Sequence, residues 1–97
     1  MLEAKRDGHI ILGVHITDRI TEAVEVQKQL TRFGGYIKTR LGLHEVEEPD
    51  AGSAGSKNGL MILELVSNEQ KARELSEALS GIEGVEVQSM KFRHTEL

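Results

Sequence analysis

Asp18 and Arg19 stand side by side where an alternating apolar run gives way to a helical one. A carboxylate and a guanidinium so placed could hold the amine and the carboxylate of a small zwitterion, the guanidinium through two parallel hydrogen bonds. Asp18 has a simpler use, because its side-chain oxygen can take an orphan N–H at the start of a helix. Arg19 has one as well, as a solvated first-turn residue. Gly34-Gly35 could leave a backbone cradle for a ligand, although a helix stop already accounts for the pair. Lys38 and Arg40 could recognise an anion, and cross-strand ion pairs with Glu64 or Glu86 are an equal use. His44 could ligate a metal across a subunit interface, with His15 or Glu64 from another strand. Against that stands a single histidine making one hydrogen bond, since further ligands at metal-site spacing are missing.

Other chemistries find little purchase. The chain has no cysteine, which excludes disulfides, thiolate metal sites and cysteine nucleophiles within it. Nucleophilic or acid–base catalysis needs a nucleophile, a base and an orienting group in one cleft, and no such set is visible. Clustered carboxylates occur only at Glu45, Glu47 and Glu48, in a polar loop where solvation explains them. The stretch G-S-A-G-S-K over 52–57 lacks phosphate-loop spacing and precedes a strand rather than a helix. Net charge is −4, with no basic stripe, which argues against direct nucleic-acid binding. The two central strands, HIILGVHIT and LMILELV, carry no aromatic residue on which a base could stack. No apolar run reaches membrane-spanning length, and no signal segment is visible, so a cytoplasmic protein without a cofactor is expected.

The elements that position these residues repeat. Thr17-Asp18 stands where Ser67-Asn68 stands fifty positions on, and Gly34 stands where Gly84 does. Each half reads strand, capped helix, glycine stop, strand. In the first strand Ile10, Leu12, Val14 and Ile16 share one face, and Ile11, Gly13, His15 and Thr17 the other. Ile20, Ala23, Val24, Leu30 and Phe33 mark the buried side of the first helix. Gly34-Gly35 is expected to end it in the left-handed conformation. In the second half Ser67 and Gln70 form a capping-box pattern, and Glu69 and Arg73 are spaced for an ion pair. Ala72, Leu75, Leu79 and Ile82 form the second helical stripe.

Ninety-seven residues suit a single domain, with a frayed start over 1–8, a flexible hairpin loop over 47–58 and a polar tail over 93–97. Two strand–helix–strand units joined by a hairpin link give an α+β, ferredoxin-like β-α-β-β-α-β sandwich: a four-stranded antiparallel sheet with both helices on one face. The other face is then open. By alternation it carries Ile11, Gly13, His15, Lys38, Arg40, His44, Leu60, Ile62, Glu64, Glu86, Gln88, Met90 and Phe92. A half-apolar patch of this kind marks an interface, and a homodimer or higher oligomer is expected to cover it or to extend the sheet at its edge.

The stretch V-H-I-T-D-R before the first helix, I-K-T-R-L-G-L-H after it and L-S-G-I-E-G-V-E-V near the end resemble ACT-type regulatory domains. More narrowly they resemble the small stand-alone regulators of iron-only hydrogenase systems. The resemblance runs from about Gly8 to Phe92. It implies an ACT-like fold, oligomers, and a regulatory task, with a small ligand near the junction of the first strand and first helix at a subunit interface. Asp18-Arg19 matches the D-R of that junction, while Ile20-Thr21 stands where those domains have P-G. The chain is also similar to the C-terminal metal-sensing domain of nickel-responsive repressors, whose L-H-x-H strand aligns with Leu41-Gly42-Leu43-His44. Only His44 matches a ligand there. The readings are a stand-alone, ligand-sensing ACT-like module linked to iron-only hydrogenase regulation, a metal-responsive sensor using His44, and remotely a ferredoxin-like enzyme.

Overall fold

The computed structural model describes residues 8–43 and 58–93, with the backbone alone for Arg19, Ile20 and Leu43. His44, the loop over 47–57 and the ends over 1–7 and 94–97 lie outside the described residues. Gly8 and Arg93 fall inside the sheet, where they pair with each other, so the expected frayed start and polar tail each lose one residue.

The elements follow in the order β1 (Gly8–Ile16), α1 (Arg19–Arg32), a 3-10 turn over Gly34–Tyr36, β2 (Ile37–Leu43), β3 (Gly59–Leu65), α2 (Glu69–Ser80) and β4 (Val85–Arg93). The sheet order is β2-β3-β1-β4 and every neighbouring pair is antiparallel. This is the expected ferredoxin-like α+β sandwich, with β1 and β3 central.

Alternation explains the sheet. Ile10, Leu12, Val14 and Ile16 are all buried, as are Leu63 and Leu65 on β3 and Val85 on β4. They form one core with Val26 and Leu30 of α1, Phe33 just after it, and Ala72, Leu75 and Leu79 of α2. Both helices therefore cover the same face. Each fully buried leucine contributes about 1.5–3 kcal/mol of transfer free energy, which is how a chain this small closes a single core.

Four local expectations need correction. The buried stripe of α1 is Val26 and Leu30, continued by Phe33 just after the helix, while Ala23 is exposed and Val24 is 63% exposed. Val24 and Val26 differ by two positions, which puts them on opposite sides of a helix. Gly34-Gly35 does not adopt the left-handed conformation; the only positive φ among the described residues is at Gly84, and Gly34 instead begins a 3-10 turn. At α2 the cap is Asn68, whose Oδ1 accepts from the Lys71 N–H at 3.0 Å. Ser67 does not cap: its hydroxyl donates to the Gly8 carbonyl at 2.6 Å and accepts from the Gly8 N–H at 3.2 Å, tying the start of β1 to the β3–α2 connection.

The fourth correction bears on the open face. The β2–β3 register slips between Ile37, opposite Leu65, and Thr39, opposite Glu64. Lys38 is the extra residue of a β-bulge, and every later side chain of β2 changes face. Arg40 therefore lies on the helix side, where its Nη2 donates to Gln27 Oε1 of α1 at 2.9 Å. Leu41 takes the place on the open face that plain alternation gives to Arg40, opposite Ile62.

Candidate functional site

The junction of β1 and α1 is assembled from three segments. Asp18 Oδ1 accepts from the Thr21 N–H at 3.3 Å, and Oδ2 accepts from the Thr21 hydroxyl at 3.1 Å. Glu22 reaches back, its Oε1 accepting from the Asp18 N–H at 3.2 Å. The two carboxylates thus satisfy orphan donors at the positive end of α1. The third segment is the turn before β4. Thr17 N–H donates to the Gly84 carbonyl at 2.9 Å, and Gly84 has a φ of +85°. A Cβ on Gly84 would run into the Glu22 carboxylate. Asp18 is thus a helix cap with a charge at the molecular surface. Sequence reasoning missed Glu22, although a Glu placed four residues after Asp18 in the first turn was signal enough.

The other candidate residues do not gather there within one chain. Gly34 and Gly35 follow the far end of α1, a 14-residue helix, which puts them about 20 Å from Asp18. Arg40 sits beside the middle of α1 through Gln27. Arg19 opens α1 in the backbone, next to Asp18. His15 lies on the open face of β1, with Leu60 and Glu86 as its cross-strand neighbours. Its metal partner in the sequence reading, His44, is outside the described residues. Among the described residues no three His, Asp or Glu side chains converge at metal-binding distance.

The open face has its own geometry. Its apolar members are Ile11, Leu41, Leu60, Ile62, Met90 and Phe92, of which Leu41, Leu60, Met90 and Phe92 are each 42% to 55% exposed. The register runs them as a diagonal, from Phe92 and Met90 on β4, through Ile11 and Ile62, to Leu41 and Leu60. Gly13 lies beside its middle, and a Cβ there would meet only the Gln88 carbonyl, at 3.9 Å. Two polar corners flank the diagonal. One holds His9, Glu64 and Lys38: the Glu64 Oε2 lies 2.9 Å from His9 Nδ1 and 3.5 Å from Lys38 Nζ. The His9 ring first, and Lys38 with it, hold the Glu64 carboxyl below its ordinary value. The other corner holds His15, Glu86 and Gln88, with Gln88 Nε2 donating to Glu86 Oε2 at 3.0 Å. Glu86 has no cation partner among the described residues.

A third feature is a cleft of about 380 Å³ between the first half of α2 and the edge strand β4. Glu69, Arg73, Ser76, Ser89 and Lys91 line it. Lys91 Nζ bridges to Glu69 Oε1 at 3.5 Å, and Arg73 donates to Gln70 Oε1 at 3.4 Å, so the expected Glu69–Arg73 pair is replaced by two others. The cleft exists because Ser89 occupies a helix-facing position of β4 where Val85 and Val87 precede it.

No family model matches this chain, and no curated protein matches it. Among solved structures the fold is similar to the uncharacterized protein TM1266 from Thermotoga maritima, with a TM-score of 0.72. That match is 24% identical and covers 90% of this chain and 100% of the other. It supports the fold and leaves the task of the domain to its own residues. No helix among the described residues is long and apolar enough to cross a membrane.

Proposed function

We propose that this chain is a stand-alone ACT-like regulatory module, homo-oligomeric and small-ligand-sensing, with a link to iron-only hydrogenase systems. The observation that carries the reading is the half-apolar open face of the sandwich, a surface suited to subunit contact. The charged groups favour regulation over catalysis, since most serve structure. Asp18 caps α1, Arg40 binds Gln27, and Glu64 is engaged by His9 and Lys38. The hydrogenase link rests on the resemblance of the T-D-R, I-K-T-R-L-G-L-H and L-S-G-I-E-G-V-E-V stretches. The module works in the cytoplasm, on itself and a small effector, without cofactor, membrane or direct nucleic-acid contact.

The ligand site of this reading is the β1–α1 junction, where Asp18 and Arg19 offer opposite charges to a zwitterion, with a neighbouring subunit as the other wall. Gly34, Gly35 and Arg40 lie too far from the junction to join it from the same chain. Calorimetry against a panel of amino acids tests this. Asp18→Asn keeps a capping oxygen but removes the charge. Amino-acid binding weakened roughly tenfold by that substitution supports the reading. Tight nickel, zinc or iron binding lost in His44→Ala, with no amino-acid binding, replaces it with a metal sensor.

A further inference from the structure

We infer that the open sheet face is covered by a second copy of this chain, on a two-fold axis running along the apolar diagonal. In that arrangement Glu86 of each copy meets Lys38 of the other. This deepens the oligomeric part of the reading above and does not depend on its ligand.

The pairing register fixes the layout. Across the sheet, Phe92 on β4 to Leu41 on β2 spans three strand spacings; along the strands it spans two pairs of residues, from the level of His9 to that of Gly13. With strands about 4.8 Å apart and about 3.4 Å per residue, both legs come to roughly 14 Å. The diagonal thus runs at about 45° to the strands. A two-fold axis along it crosses the strands of the two sheets at about 90°, one of the two ways sheets pack face to face. The diagonal then stacks on its own copy, with Leu41 against Leu60 of the second copy.

The same operation exchanges the two polar corners. The His9–Glu64–Lys38 corner of one copy falls over the His15–Glu86–Gln88 corner of the other. Glu86, which lacks a cation in its own chain among the described residues, gains Lys38 of the second copy. A two-fold axis across the diagonal does the opposite, setting Lys38 on Lys38 and Glu86 on Glu86. Charge complementarity therefore selects the first axis over the second. Four strands by the nine residues of β1 make a face of about 20 by 30 Å; crossed at about 90°, two such faces overlap over about 20 by 20 Å, an interface at the small end of the specific range.

Because the contact is isologous, each interface holds the Lys38–Glu86 pair twice. This gives a test by sedimentation velocity on the full chain, with circular dichroism to verify folding. Both residues are exposed, so Lys38→Glu and Glu86→Lys should each fold. The expected result is a wild-type dimer whose dissociation constant rises at least about tenfold in either variant alone, and a mixture of the two variants that dimerises like wild type. The mixed dimer restores both pairs, whereas each variant by itself doubles a repulsion. A wild-type monomer overturns this inference together with the oligomeric reading. A wild-type dimer that is indifferent to either variant, or a mixture no tighter than the variants alone, overturns this arrangement only.

Discussion

Arg40 on β2 donates a 2.9 Å hydrogen bond to Gln27 in the middle of α1, from the helix side of the sheet. Its neighbour Leu41 consequently faces away from the helices and is 53% exposed. The cause lies upstream, in the extra residue at Lys38. The bulge exchanges a guanidinium for an isobutyl group on the open face and completes the apolar diagonal there.

That exchange makes the two neighbours behave differently. Leu41→Gln is expected to weaken self-association by about 1 kcal/mol or more, because it puts an amide where apolar contact is needed. Arg40→Gln is expected to leave self-association unchanged, since its partner Gln27 lies in the helix layer. Dissociation constants of the two variants, measured side by side, check this. An equal effect of both would place the interface elsewhere.

Gly84 is the one described residue with a left-handed φ, and the Glu22 carboxylate occupies the space a side chain would need. Gly84→Ala is therefore expected to cost about 1–3 kcal/mol in urea unfolding, combining backbone strain with displacement of Glu22 from the start of α1. In a double-mutant cycle with Glu22→Ala, the Gly84→Ala cost should shrink without vanishing. The part that remains is the strain of φ itself. A cost unchanged by removing Glu22 would mean that its carboxylate moves aside freely.

Glu64 gives a pH dependence with a definite sign. Its carboxyl is held below the ordinary value of 4.5, first by the hydrogen bond with His9 and then by Lys38. A depressed value in the folded state means that the unfolded chain takes up the proton more readily. The stabilisation is fully present above the unfolded-state value, near 4.5, and is lost as pH falls through the lower folded-state value. Between neutral pH and about pH 3, the urea midpoint of the wild type should drop further than that of Glu64→Gln. Parallel curves for the two proteins would show that the His9–Glu64 contact is not maintained in solution.

The architecture was legible because both halves present their periods cleanly. Ile10, Leu12, Val14 and Ile16 alternate without a break, and Ala72, Leu75 and Leu79 keep helical spacing. What escaped were choices between adjacent residues of equal competence. Ser67 and Asn68 can both cap a helix; Asn68 does so, because the Ser67 hydroxyl is engaged by Gly8, fifty-nine positions away in sequence. Val24 and Val26 are the same residue type, and only the docking angle of α1 decides which is buried. The bulge at Lys38 leaves no mark in a strand whose residues K-T-R-L-G-L tolerate either register. The candidate site suffered for the same reason. Asp18 and Arg19 are neighbours in sequence and remain so, but nothing local places Gly34 or Arg40 at the other positions along α1.

Ser89 offers a test of the α2–β4 cleft in the favourable direction. It stands opposite Leu12 on the helix-facing side of β4, following Val85 and Val87 at the same two-residue period. A third β-branched residue would continue the row and fill part of the space beneath Arg73 and Ser76. The Ser89 hydroxyl has no hydrogen-bond partner among the described residues, so its removal leaves no donor or acceptor orphaned there. Ser89→Val is therefore expected to stabilise the protein by about 0.5–1 kcal/mol, from added apolar contact over Leu12 and a better strand residue. Urea unfolding at neutral pH measures it directly. Ser89→Thr, which keeps the hydroxyl but adds one methyl, should gain part of that amount. If Thr stabilises and Val destabilises, the hydroxyl itself has a partner, and the cleft is a polar site rather than a packing gap.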